Sequence, residues 1–133
     1  MKKDLNIPKV EGVGIAIAEE EIKGDTVLRA YLVNFNKFEL KNVLISTKGY
    51  GLVNEVKKTT SKFSHFLGDI NPMDAQAFET ISDEVIGLNN EFFLTYYIDG
   101  QIYDKKYIFL PESISKSNFI EISVLNKKGV LIK

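Results

Sequence analysis

One histidine, one arginine and no cysteine set the chemical repertoire of this chain. Without cysteine there is no thiol nucleophile, no disulfide scaffold, no cysteine-ligated zinc and no iron–sulfur cluster. A Ser-His-Asp arrangement would have to use His65 as its base, with Ser61 or Ser64 as nucleophile, around the run Lys62-Phe-Ser-His-Phe-Leu67. Neither serine lies in a strained strand-to-helix turn of the G-x-S-x-G kind, and the run reads as a half-buried strand. His65 is therefore expected to be structural. No H-x-x-x-H or D-x-[DN]-x-[DN]-G spacing surrounds it, so neither a metal nor a cofactor is expected.

Carboxylates gather at Glu19-Glu20-Glu21 and Asp83-Glu84. An enzyme using dispersed carboxylates would need two of them to face one another across a substrate, as in glycoside hydrolysis. Both groups fall at the ends of predicted strands, where a solvated charge run is the ordinary outcome. The glycines carry no nucleotide signature: Gly12-Val-Gly14 lacks a third glycine, and Gly49-Tyr-Gly51 lacks the G-K-[ST] ending of a phosphate loop. Lysine pairs at Lys57-Lys58, Lys105-Lys106 and Lys127-Lys128, interleaved with Phe93, Tyr97 and Tyr103, would make a single-stranded RNA-binding groove if the fold brought them together. Against that stands Arg29, the lone example of the residue best suited to bidentate base and phosphate contacts. Seventeen basic and eighteen acidic residues give a net charge of -1, so no global field draws nucleic acid or anionic lipid.

The elements that position these residues follow from periodicity. The 133 residues are 44% hydrophobic and 26% charged, the values of a folded domain with a real core. Apolar runs rich in β-branched and aromatic residues recur between Gly, Asn, Asp and Pro at Gly12–Glu20, Thr26–Asn34, Asn42–Gly49, Lys62–Ile70, Ala75–Ser82, Glu91–Ile98 and Gln101–Leu110. Breaks are expected at Lys23-Gly24-Asp25, Asn34-Phe35-Asn36, Gly49-Tyr50-Gly51 and Asp69-Ile70-Asn71-Pro72. Seven strands in this rhythm predict an all-β, antiparallel sandwich of the immunoglobulin or fibronectin kind, with a barrel as the alternative. A single domain is expected over 1–133, with core strands about 12–110. The segment 111–133 reads as a C-terminal appendage in which Phe119, Ile120 and Ile122 suit one short helical turn and Gly129–Ile132 is extended.

Asp99-Gly100 between two β-rich runs asks for a two-residue type I′ hairpin turn. Its register sets Phe92 against Tyr107, Leu94 against Lys105, Tyr96 against Tyr103 and Ile98 against Gln101 on one face, expected to meet the core. The other face pairs Phe93 with Lys106, Thr95 with Asp104 and Tyr97 with Ile102, and Ile108 joins it. Aromatic and aliphatic groups mixed with charge on that face make Phe93, Tyr97, Ile102, Lys106 and Ile108 a candidate interaction patch for a protein partner or a second copy. The favoured expectation, ahead of that interface, is that the C-terminal segment folds back and covers it with Phe119, Ile122, Val124 or Leu125.

Asp83-Glu-Val-Ile-Gly-Leu-Asn-Asn-Glu-Phe-Phe-Leu-Thr-Tyr-Tyr97, Tyr103-Asp-Lys-Lys-Tyr-Ile-Phe109, Ile7-Pro-Lys-Val-Glu-Gly-Val13 and Lys128-Gly-Val-Leu131 together resemble a family of short bacterial proteins of about this length. Its members often carry the label phenylalanyl-tRNA synthetase alpha subunit. The residues contradict that label, because a class II synthetase core is far longer and holds ATP with motif arginines, whereas Arg29 sits in neither an F-R-x-E nor a glycine-rich context. The resemblance implies a family rather than an activity. Met1-Lys2-Lys3-Asp4-Leu5-Asn6-Ile7-Pro8 has no apolar leader segment, and the run Val13–Ala18 is far too short to span a membrane as a helix. The expectation is a cytoplasmic, non-catalytic binding or protein-interaction module, with no membrane association.

Overall fold

The computed structural model describes residues 8–133; residues 1–7, over which no apolar leader is expected, lie outside the described residues. The chain is mostly antiparallel β in two sheets. Among the described residues ten strands run in the order β1 (Val13–Ile22), β2 (Asp25–Asn34), β3 (Leu40–Val53), β4 (Val56–Thr59), β5 (Phe63–Ile70), β6 (Asp74–Ile81), β7 (Asn89–Ile98), β8 (Gln101–Phe109), β9 (Ile120–Ile122) and β10 (Lys127–Ile132). One helix, α1 (Asp83–Ile86), lies between β6 and β7. The first sheet has the order β6-β2-β1-β10-β9. In the second, β4-β3-β7-β8 form the path and β5 pairs with the same β3 that carries β4.

Local chemistry explains the tight turns. Lys23 and Gly24, Asn54 and Glu55, and Asp99 and Gly100 all have φ between 48° and 86°, the backbone that a type I′ turn demands. The Asp99-Gly100 hairpin has the expected register, Phe92 opposite Tyr107 and Tyr96 opposite Tyr103. Its inner face is in the core: Phe92, Leu94, Tyr96 and Tyr107 are buried beside Ile15, Ile17, Leu32 and Ile45. Tyr96 and Tyr103 stack 5.2 Å apart, and the Tyr107 hydroxyl donates to the Val13 carbonyl at 2.7 Å, tying the second sheet to the first. Burial pushes the Tyr96 hydroxyl up to about 12 and raises that of Tyr107 as well.

Asn34 is fully buried and closes the β2–β3 connection. Its side-chain amide donates to the Phe38 carbonyl at 2.9 Å and the Asn71 carbonyl at 3.0 Å, and its Oδ1 accepts from the Asn36 N–H at 3.0 Å. This is the Asx chemistry expected at Asn34-Phe35-Asn36.

Four sequence expectations need correction. The described residues form ten strands rather than seven, because the short runs of β4, β9 and β10 find ladder partners in segments distant from the seven apolar runs or across a tight turn. Gly49-Tyr50-Gly51 does not break a strand; β3 continues through it to Val53, because ladder partners hold its backbone, Asn90 and Asn89 of β7 opposite Gly49 and Tyr50, and Thr59 and Lys58 of β4 opposite Tyr50 and Gly51. The helical turn lies at Lys116–Asn118, and Ile120 and Ile122 are strand residues instead. The segment 111–133 is not an appendage, since β10 sits inside the first sheet between β1 and β9. Gly129 permits that approach: a Cβ there would lie 2.6 Å from Ala18 Cα, its partner across the ladder.

Candidate functional site

The patch residues occupy one surface, the outer face of the second sheet. Phe93 and Ile102 are exposed, Tyr97 and Ile108 half-buried, and Lys106 points to solvent. The ladder pairs Phe93 with Lys106 and Tyr97 with Ile102. On the other side of β7, β3 sets Ser46 against Phe93 and Leu44 against Thr95, and β5 places Phe66 beside Leu44. Phe66 at 68% exposure, Ile102 at 45%, Phe93 at 41% and Leu44 at 40% thus share one face from β5 across to β8. Charged groups rim it, with Lys48 4.0 Å from Glu91 at one end and Lys41 3.3 Å from Asp69 at the other.

The C-terminal segment does not cover this face. Ile122, Val124 and Leu125 pack with Ala16, Ala18, Tyr31 and Val33 on the outer side of the first sheet, and Phe119 packs against the central core. Leu44 and Phe66 were not among the residues that the sequence pointed to. The unbroken apolar run Val43-Leu44-Ile45 gave no alternation to mark Leu44 as outward, and which strands flank β3 was not legible.

A second concavity lies between the sheets where β5 and β6 approach. It encloses about 360 Å³ and is lined by Thr47, Phe63, His65, Glu79, Val85 and Phe92 among others. His65 Nε2 and Glu79 Oε1 are 2.8 Å apart, and Thr47 Oγ1 donates to the same carboxylate oxygen at 2.9 Å. The Thr47 hydroxyl is therefore committed to Glu79 rather than to the imidazole. Ser64 is on the opposite side of β5, bonded to Ser46 at 3.1 Å, so it does not form a nucleophile–base pair with His65. The His65 ring also leans on Phe78, 5.6 Å away. Taken together, these contacts pin β5 of one sheet to β6 of the other.

The remaining chemical candidates are separated. Glu20 accepts from the Tyr31 hydroxyl and from Arg29 at 3.2 Å. The Tyr31 bond first, and the Arg29 charge after it, hold the Glu20 carboxyl below its usual value. Burial and that same bond raise the Tyr31 hydroxyl. Glu21 binds Thr26 at 2.8 Å and Glu19 meets Lys116 at 3.4 Å, while Asp83 and Glu84 open α1. Each member of the Glu19-Glu20-Glu21 run thus has its own partner. The lysine pairs sit on β4, β8 and β10, the last in the other sheet, and Tyr103 faces inward. They do not make one groove with Phe93 and Tyr97. Among the described residues no three His, Asp or Glu side chains gather as metal ligands, and no helix is long and apolar enough to cross a membrane. Compared with known proteins, the chain matches no family model, no curated protein and no solved structure.

Proposed function

We propose that this protein is a non-catalytic, cytosolic interaction module that receives a protein partner on the outer face of its second sheet. The observation that carries this reading is the contrast in coverage. The outer side of the first sheet is sealed by Ile122, Val124 and Leu125, whereas Phe66, Leu44, Phe93 and Ile102 stand open on the second. Contiguous exposed apolar groups rimmed by charge are what interface centres look like before they are filled. We read the two-sheet framework as immunoglobulin-like or fibronectin-like, which agrees with that role. The first, second and sixth strands in one sheet against the third, seventh and eighth in the other follow the A-B-E and C-F-G arrangement of those sandwiches. Such frameworks commonly present faces and edges to partners.

The test uses Leu44→Ser with Phe66→Ser, two exposed positions whose loss leaves the core untouched. Proteins bound to the tagged wild type in its native cells are identified, and each is re-tested pure. The variant is expected to lose a partner that the wild type binds while keeping its melting temperature. Equal binding by wild type and variant would reject the face as the contact surface.

A further inference from the structure

The second sheet ends at β8, and that edge is unlike the others. β9 has three residues and β4 has four. The β2–β6 ladder shifts register between Ala30 and Tyr31, and β5 pairs with β3 across two shifts. Short, bulged edges are how β proteins avoid pairing with their neighbours. β8 has nine residues, an unbroken register with β7, and no proline or glycine.

The hairpin register says which backbone groups are free. Ile98 and Gln101 flank the two-residue turn and so form a hydrogen-bonded pair, after which bonded and non-bonded pairs alternate. Ile102, Asp104, Lys106 and Ile108 therefore direct their N–H and C=O groups away from β7. Among the described residues the one hydrogen bond that reaches them comes from the Gln101 side chain to the Ile102 carbonyl, at 3.3 Å.

We infer that two copies of this chain pair β8 with β8, antiparallel, about a two-fold axis at Lys105. This goes beyond the reading above, which concerns the face, and rests on it only in taking the second sheet as the contact side. An axis at Lys105 engages all nine residues of the strand. It puts Asp104 opposite the partner's Lys106 twice over, and Ile102 opposite Ile108 twice over, all four pairs between residues with outward backbone groups. Moving the axis to Asp104 sets Asp104 against itself and Ile102 against Lys106. An axis at Lys106 sets Lys106 against itself and Asp104 against Ile108. A half-residue shift opposes outward groups to inward ones and loses the ladder. Charge complementarity thus selects the register that also pairs the whole strand. The one like-charge pair, Lys105 with its copy, is relieved because Lys105 Nζ lies over its own Tyr107 ring, 5.1 Å from the centroid. The joined sheets would carry Phe93, Ile102 and Ile108 of both copies on one continuous face.

Light scattering on the intact chain should give twice the 15.1 kDa of one copy. Asp104→Lys and Lys106→Asp, both at exposed positions, should each reduce the mass to that of a monomer, and the two combined should restore the dimer. Because the chain has no cysteine, Lys105→Cys offers a clean second readout. Opposed non-hydrogen-bonded Cα atoms lie about 4.5 Å apart, within disulfide reach, so mild oxidation should link two copies at this position. Asp104→Cys and Lys106→Cys should link far more slowly. A monomeric wild type overturns the proposal, as does a dimer indifferent to both single charge reversals. A dimer lost in Leu44→Ser with Phe66→Ser but kept in Asp104→Lys also overturns it, and leaves the face as the interface.

Discussion

β1 and β7 both lie inside their sheets, flanked by a strand on either side, yet β1 is buried on two faces and β7 on one. Val13 to Ala18 are buried without interruption, Ile15 and Ile17 towards the core and Ala16 and Ala18 beneath the C-terminal turn. Along β7, Phe92, Leu94 and Tyr96 are buried and Phe93 is exposed. The side-chain types agree with this difference. β1 carries small alanines where another layer presses close, and β7 carries Phe93, Thr95 and Tyr97 where none does. Coverage of a sheet face is thus set by which segment the chain has left to lay on it, and here that segment goes to β1.

The contrast breaks most severely if β10 is kept out of the first sheet. Gly129→Val should destabilise the fold by about 3 kcal/mol, because the new side chain meets the Ala18 backbone and β10 must move. Urea unfolding followed by circular dichroism measures it, and a wild-type midpoint would mean that β10 is not seated against β1. Removing bulk from each face comes next. Ile122, 2% exposed, should cost about 2–3 kcal/mol as Ile122→Ala, whereas Ile102→Ala on the open face should stay within about 0.5 kcal/mol in the monomeric Asp104→Lys background. Equal losses would erase the distinction between the faces.

His65→Gln should lower stability by about 1 kcal/mol, since it weakens a half-exposed bond to Glu79 that joins the sheets at their edges. Thermal melts read this directly, and an unchanged melt would remove the cross-sheet pin. The smallest effect is electrostatic. Glu20 sits below its ordinary value of 4.5 in the folded state, so its contribution is fully present above about pH 4.5 and disappears as pH falls through the lowered value. Glu20→Gln lacks that contribution. The stability gap between wild type and variant should therefore be constant near neutrality and close in acid, as seen in unfolding midpoints across pH. A gap that widens in acid would contradict the Tyr31–Glu20 assignment.

The hairpin of β7 and β8 was legible almost residue for residue, because a two-residue turn and period-2 alternation are local properties of the chain. The five patch residues shared a face for the same reason. Leu44 and Phe66 escaped, since pairing of β3 with β7 and with β5 joins segments far apart in sequence. Glu79 escaped for a different reason. Strict alternation puts it on the side of Ala75 and Ala77, but the extra residue at Phe78 turns it inward to His65 and Thr47. The run Val13–Ala18 held a usable signal, because a strand apolar at every position is buried on both faces.

Seven of the strands, the Asp99-Gly100 turn, the hairpin register and the absence of thiol chemistry were determined by the sequence itself, for each depends on residue type within a few positions. Tertiary structure alone decided that 111–133 supplies an interior strand, that the C-terminal turn packs on the first sheet, and that no described segment lies over the outer face of the second sheet or along its β8 edge. Apolar surface attracts any apolar segment, and alternation records only that a face is apolar. Which segment covers it depends on where Gly129 lets β10 approach Ala18, a contact between residues at opposite ends of the chain.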